Sequence, residues 1–262
     1  AIAAMAAGKN VISEKPVALS QEELEEMIAA SKKYGKLFTV HQNRRWDPDF
    51  KCVQKILADN ELGKGFRIES RVQGSSGIPG DWRNQKAHGG GMVLDWGIHL
   101  LDQALRIGEG RKLISVYAEL TNVTNEECDD GFRVTLIFEG DLSMYVEVTT
   151  SNFIELPRWY VLGENGSAVI NDWDLNGEIV KVSDWENRDA VPILAGVGLT
   201  KTMAPRTDDT IKHYPLPKVD SSWTQFYENV FAALRGEEEQ LITHDQQRRL
   251  LKLVDAIFES GN

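Results

Sequence analysis

The sequence predicts an α+β chain: an open-faced, largely antiparallel β-sheet flanked by helices, preceded by the closing part of a parallel, doubly wound sheet. Three observations carry this. Residues 1–41 alternate helix and strand at tight spacing, the pattern of parallel α/β units. At Asp47-Pro48 the pattern changes, and apolar and polar residues alternate in strand-length runs, as half-buried antiparallel strands do. One glycine-led helix interrupts those runs, and two further helices close the chain.

The opening run, Ala1-Ile2-Ala3-Ala4-Met5-Ala6-Ala7-Gly8, reads as the last two turns of a helix closed by Gly8 in the left-handed conformation. It has no initiator methionine and no basic leader, so the chain reads as a fragment that has lost what came before it. Residues 10–13 are a short buried-strand candidate ending at Glu14-Lys15-Pro16. Ser20 caps the next helix, with Glu23 completing a capping box. Its apolar stripe is Leu24, Met27, Ile28 and Tyr34, and Gly35 ends it. Residues 36–41 form a second strand.

Asp47 then reads as an N-cap, with Pro48 in the first helical position and Phe50, Val53, Ile56 and Leu57 on one face; Gly63 and Gly65 stop this helix. Alternating strands follow at 66–72, 113–121, 132–139 and 143–150, with shorter candidates at 159–162, 168–171 and 179–182. Helices are expected at 91–107, 222–235 and 245–259, and the polar, proline-containing stretch 184–220 reads as a long loop with little regular structure. Two domains result, 1–43 and 44–262.

Hydrophobic residues at 42% and charged residues at 26% suffice for a core of normal size. The formal net charge of −11 argues against a nucleic-acid groove or an anionic membrane as partner. No apolar run approaches the length of a membrane span. Cys52 and Cys128 make neither a disulfide framework nor a metal spacing, which suits a reducing cytoplasm, and Cys52 reads as a small helix residue rather than a nucleophile. His41, His213 and His244 lack a second ligand at metal spacing, so no metal site is expected.

The chemistry concentrates where Gly89-Gly90-Gly91 leads into Asp95 and His99. That i, i+4 pair shares one helical face and could reach one ligand. An imidazole and a carboxylate to orient it are the minimum needed to take a proton from a hydroxyl. An ordinary amphipathic helix could carry the same two residues. Lys15 lies just past the carboxyl end of a parallel strand, where open α/β sheets bind ligands, and Pro16 stiffens that corner. In isolation a solvated turn lysine reads alike.

Of the adjacent Arg44 and Arg45, beside Trp46, one is expected in the site and the other in a structural ion pair. Asp81-Trp82-Arg83 sits in a Gly/Ser/Pro-rich loop ahead of the helix, placed either to line a pocket or to pack. Trp46, Trp82, Arg83 and Trp96 suggest a pocket with a stacking wall that suits a sugar ring, while Trp173, Trp185 and Trp223 read as packing residues.

In order and separation, Glu14-Lys15-Pro16, then Asn43-Arg44-Arg45-Trp46-Asp47-Pro48, then Gly89-Gly90-Gly91 with Asp95-x-Gly97-x-His99-x-x-Asp102, resemble the glucose-fructose oxidoreductase/inositol dehydrogenase (Gfo/Idh/MocA) family. Tyr160-Val161-Leu162-Gly163 through Ser167 resembles that family's late strand-turn-strand. The resemblance implies an N-terminal Rossmann domain for NAD or NADP and an open-sheet domain for substrate. It implies hydride transfer between the cofactor and a carbinol of a sugar, inositol or related polyol. It also implies association as a homodimer or homotetramer through the open sheet face.

By the resemblance, Lys15 approaches nicotinamide and substrate hydroxyl through a cis bond to Pro16, Asp95 contacts substrate and orients the base, and His99 exchanges the hydroxyl proton. Arg45 and Trp46 match an arginine–aromatic pair at the domain junction, read with Trp82, Arg83 and Trp96 as substrate-binding. Glu14, Lys15 and Pro16 are the expected cofactor contacts. The departure is that no G-x-G-x-x-G follows a strand anywhere in the chain, so the pyrophosphate-binding turn is missing and the fragment alone is expected to be inactive. A non-catalytic ligand sensor on the same fold and an NAD-dependent glycosidase are the alternatives.

Overall fold

A computed structural model describes residues 1–261 except 188, 190 and 203. The opening helix α1 (Ile2–Ala6) is followed by Gly8 at φ +79°, and the short strand β1 (Val11–Ser13) comes next. The Ser20 hydroxyl accepts the Glu23 amide at the start of α2 (Gln21–Tyr34), while the Glu23 carboxylate accepts the Leu19 amide, and Gly35 closes the helix left-handed. Strand β2 (Phe38–Val40) pairs parallel with β1, Val11 opposite Phe38. Leu24, Ile28 and Phe38 pack there with Met5 and with Leu251 from the far end of the chain.

After a 3₁₀ turn at Asn43–Trp46 comes α3 (Pro48–Ala58). Asp47 occupies its N-cap position but makes no capping bond. Its carboxylate instead accepts from Arg44 and from the Trp223 indole, a stronger charge-assisted use of the same oxygens.

The main sheet has eight strands: β3 (Gly65–Gln73), β4 (Leu113–Thr121), β5 (Gly131–Phe138), β6 (Leu142–Thr149), β7 (Trp159–Gly163), β8 (Gly166–Ile170), β9 (Gly177–Val182) and β12 (Ile211–Pro215). Their order is β12-β9-β8-β7-β3-β6-β5-β4, antiparallel except where β3 meets β6. Strand β3 is central, flanked by one antiparallel meander on each side, which is why the exception falls there.

One face carries the core: Ile68, Val134, Leu136, Met144, Val146 and Val161 pack under Phe50, Val53 and Ile56 of α3. The helices α4 (Ile98–Ile107) and α6 (His244–Gly261) complete that layer with Leu101, Ala104, Leu250 and Ile257. Helix α5 (Thr224–Arg235) packs Phe226 and Val230 against Val40 and Trp46. The opposite face of the sheet holds a ladder of ion pairs, Arg67–Glu69, Arg71–Glu147 and Arg133–Glu119, with Tyr117 and Ile137 exposed beside it.

Two expectations need correcting. The stretch 184–220 is not one irregular loop: it contains a hairpin, β10 (Ile193–Ala195) with β11 (Gly198–Thr200), and β12, which takes the free edge of β9 with Ile211 opposite Val182. Within it, residues 188, 190 and 203 lie outside the described residues. The helix expected at 91–107 begins instead with a π-helical turn at Val93–Gly97, the Gly97 amide donating to the Met92 carbonyl five residues back. A Cβ on Gly97 would sit 2.7 Å from the Phe132 ring, so only glycine allows this turn to press against β5. Among the described residues, no helix is long and apolar enough to cross a membrane.

Candidate active site

Lys15 leaves the carboxyl end of β1 through a cis bond to Pro16. Its ammonium crosses to the glycine-led turn, donating to Asp95 Oδ1 at 3.0 Å and to the Asp95 backbone carbonyl at 2.8 Å. The other Asp95 oxygen accepts Arg83 Nε at 2.8 Å, and Arg83 Nη1 is held by Asp81 at 2.7 Å. The ammonium from the sheet rim and the helix carrying His99 therefore meet at one place. Asp95 was expected to orient His99, but both its oxygens are committed to cations and no hydrogen bond joins it to that imidazole among the described residues. The π-turn separates the two side chains that an uninterrupted α-helix would stack one above the other.

His99 sits one turn on, in the first turn of α4, and is buried. Its Nδ1 is fully enclosed and has no hydrogen-bond partner among the described residues. Burial, reinforced by the nearby charges of Lys15 and Arg44, pushes its pKa down to about 2, so the ring is neutral at ordinary pH. A neutral imidazole keeps one nitrogen lone pair able to accept a hydrogen bond from a hydroxyl.

The turn that presents these groups is fastened by a residue the sequence reading missed. Asp129, in the loop between β4 and β5, accepts the Val93 amide on its carboxylate at 2.8 Å and the Met92 amide on its carbonyl at 2.9 Å. Burial pushes its pKa up to about 7. Gly91, at φ +108°, must lack a side chain because a Cβ there would overlap the Asp129 carboxylate. Nothing in the local sequence distinguishes Asp129 from neighbouring Asp130.

Beyond His99 lies a wall of alternating rings and guanidiniums. The Trp96 ring meets His99 edge-on at 6.3 Å between centroids and lies 6.0 Å from the Trp173 ring. The Arg44 guanidinium stacks 4.3 Å over Trp96 and 5.7 Å from Trp173, and Arg158 lies 4.8 Å over the same Trp173 ring. Gln103 braces both arginines: its amide donates to the Arg44 carbonyl and its oxygen accepts from Arg158.

Of the expected substrate-binding residues, Arg83 contacts Asp95, Trp96 meets His99, and Trp82, half-exposed, stacks beneath the Arg83 guanidinium at 4.7 Å. Arg45 and Trp46 do not join them. Arg45 is buried in a bidentate pair with Asp102, at 2.6 and 2.7 Å, and its remaining amine donates to Leu241 and Gln246. Trp46 is core, edge-on to Phe226, with its carbonyl taken by Ser221. The site arginine of the pair is Arg44, because on the 3₁₀ turn the two side chains diverge and Asp102 captures the second.

Trp173 is likewise no packing residue, being 47% exposed; Trp185 and Trp223 are exposed as well, their indoles bonded to Asn165 and Asp47. Cys52 is a buried helix residue whose thiol burial pushes up to about 11, so it is not a nucleophile at neutral pH. Glu14 is exposed and accepts from His41 at 3.0 Å, which in turn contacts the Tyr227 hydroxyl at 3.3 Å. A cavity of about 490 Å³ opens on another side of the turn, lined by Leu94, Asp129 and Leu251, and includes neither Lys15 nor His99.

An ammonium at the rim of a parallel sheet, a neutral imidazole and an aromatic wall are thus gathered around one turn. Residues 1–42 match the oxidoreductase family with an NAD-binding Rossmann fold (GFO/IDH/MocA), and residues 50–169 match the GFO/IDH/MocA C-terminal domain. The chain belongs to this family, whose cofactor is a nicotinamide nucleotide. A crystal structure of an NAD-binding protein from Listeria innocua is 45% identical with a TM-score of 0.93, covering 99% of this chain and 75% of that one. An uncharacterized oxidoreductase of Escherichia coli, YdgJ, is 29% identical, covering 99% of this chain and 74% of its own length. The scyllo-inositol 2-dehydrogenase (NADP(+)) IolW of Bacillus subtilis is 24% identical, covering 99% of this chain and 72% of its own length.

Proposed function

We propose that this chain supplies the substrate side of a site that moves hydride between NAD or NADP and a carbinol of a sugar, inositol or related polyol. The observation that carries the reading is the Lys15–Asp95 contact, which brings a cation from the parallel sheet to the helix bearing an unpartnered, neutral imidazole. The rim residues Glu14, Lys15 and Pro16 fit the nicotinamide end of the cofactor, because they stand where the strand pair opens and the Lys15 ammonium is already aimed inward. Bound there, the cofactor supplies the hydride chemistry.

The chain's own residues do the rest. His99 accepts the substrate hydroxyl's hydrogen bond and then its proton. Burial and nearby cations make an imidazolium costly, so proton uptake is coupled to the alkoxide forming beside it, whose charge offsets that cost. Lys15 stabilises the same developing oxyanion. Asp95 holds Lys15 and Arg83 in place as a positioning residue rather than orienting the imidazole. The polar-laddered sheet face, with Tyr117 and Ile137 exposed, is the surface proposed for self-association as a homodimer or homotetramer, and light scattering reads that directly.

Screening full-length protein bearing this chain with NAD⁺ and NADP⁺ against a panel of sugars and polyols, following the absorbance of reduced nicotinamide, tests the reading. His99→Ala is expected to lower turnover by roughly two to four orders of magnitude. An unchanged turnover number removes His99 from the mechanism. No turnover of any polyol, with ligand binding intact, favours a sensor; sugar release from an aryl glycoside without net cofactor reduction favours a glycosidase.

A further inference from the structure

Every cation around this site is already matched by a carboxylate. Lys15 and Arg83 face Asp95 and Asp81, Arg44 pairs with Asp47 at 3.0 Å, and Arg158 pairs with Asp49 at 3.1 Å. That is four positive groups against four negative ones, with His99 neutral between them. A phosphate or carboxylate entering this cleft would have to break one of these pairs and leave its acid uncompensated, which in a partly buried site is costly.

The surface that remains is aromatic, with the Trp96 and Trp173 rings 6.0 Å apart and tilted by 43°. Trp173 stands in the turn between β8 and β9, where the Asp172 carboxylate accepts the Asp174 amide at 3.0 Å and the Asn176 amide at 3.1 Å. The Asn176 side chain donates to the other Asp172 oxygen at 2.8 Å, so the exposed indole rides on a turn tied at three points. Its neighbours are Trp96 and the partly exposed Arg44, whose remaining N–H groups can donate to hydroxyls at the ring edge, while Arg158 backs it from the interior, bonded to Ser70, Gln103 and Asp49.

We propose that Trp173, with Trp96 and Arg44, is the platform on which an uncharged, ring-shaped polyol stacks, and that the site selects neutral rings over their phosphorylated or carboxylated counterparts. This names the substrate class of the site read above and rests on that reading for its location only. Trp173 is a specificity residue: it touches the far side of the ring and not the reacting carbon.

The test is a binding titration of the protein, independent of turnover, by tryptophan fluorescence and saturation-transfer NMR. The probes are myo-inositol and methyl glucoside as neutral rings, and glucose 6-phosphate and glucuronate as anionic ones. Neutral rings are expected to bind more tightly than both anions. Trp173→Ala is expected to weaken neutral binding by about tenfold to a hundredfold, the worth of a lost apolar contact surface. Trp173→Phe keeps an aromatic face and is expected to restore most of it, while Trp185→Ala, an exposed indole outside the wall, leaves it unchanged.

Where turnover is measurable, Trp173→Ala raises KM and leaves kcat nearly unaltered. Tighter binding of the phosphate, no binding of any neutral ring, or equal binding by Trp173→Ala overturns the proposal. Neutral binding at Trp173 without nicotinamide reduction would defeat the hydride-transfer reading and leave this one standing; polyol turnover indifferent to Trp173→Ala would do the reverse.

Discussion

The buried imidazole makes a quantitative claim about stability and pH. In the unfolded chain His99 titrates near 6.5, and in the folded one near 2. Between those values the unfolded state binds a proton that the native state refuses, so this group costs stability as pH falls below 6.5 and nothing above it. Each pH unit is worth about 1.4 kcal/mol, so by pH 4.5 the cost reaches about 3 kcal/mol. Asp129 works in the opposite sense. Its carboxyl, raised from 3.8 to about 7, is protonated in the native state while still ionised in the unfolded one, so it adds stability as pH falls from 7 toward 3.8. Across the shared window the two slopes largely cancel, and the intact protein conceals both.

His99→Gln uncovers them. The stability of the variant minus that of the wild type should be constant from pH 8 to 6.5, then grow by about 1.4 kcal/mol per unit toward pH 4.5. Urea denaturation at several pH values, followed by tryptophan fluorescence, measures it. Parallel pH profiles for the two proteins would refute the reasoning, since they would mean that His99 protonates in the native state as freely as in the unfolded chain.

Asp129→Asn is the mirror case: relative to wild type it should lose stability progressively as pH drops from 7 to 4, read by the same denaturation series. Arg45→Met strands the buried Asp102 carboxylate and should cost ~3–5 kcal/mol, with part recovered by adding Asp102→Leu; a single variant within 1 kcal/mol of wild type, roughly the worth of an exposed pair, would contradict the buried-pair account. Gly97→Ala drives a methyl into the Phe132 ring and should cost ~1–3 kcal/mol in thermal unfolding, whereas an unaltered melting temperature would show that the π-turn has room to spare.

Much of the fold was legible because its causes are local. Ser20 and Glu23 cap α2 through neighbouring atoms, Gly8 and Gly35 adopt the left-handed turns that only glycine takes cheaply, and the alternation in β3 to β9 follows from one face being buried. The order of Lys15, Asp95 and His99 along the chain was enough to nominate them. Tertiary structure decided what each one touches. Which of two adjacent arginines enters the site depended on Asp102 and Gln246, 57 and 201 residues away. The π-turn that parts Asp95 from His99 exists because Phe132 of a later strand demands a bare glycine. Strand β12 formed because β9 had an open edge to offer, and Trp173 became part of the wall because Arg44 and Arg158 reach it from distant segments. Periodicity and capping are properties of a few consecutive residues, so the chain itself states them. Partner choice among buried charges and exposed rings is settled by whichever group arrives in space, and no stretch of sequence contains that information alone.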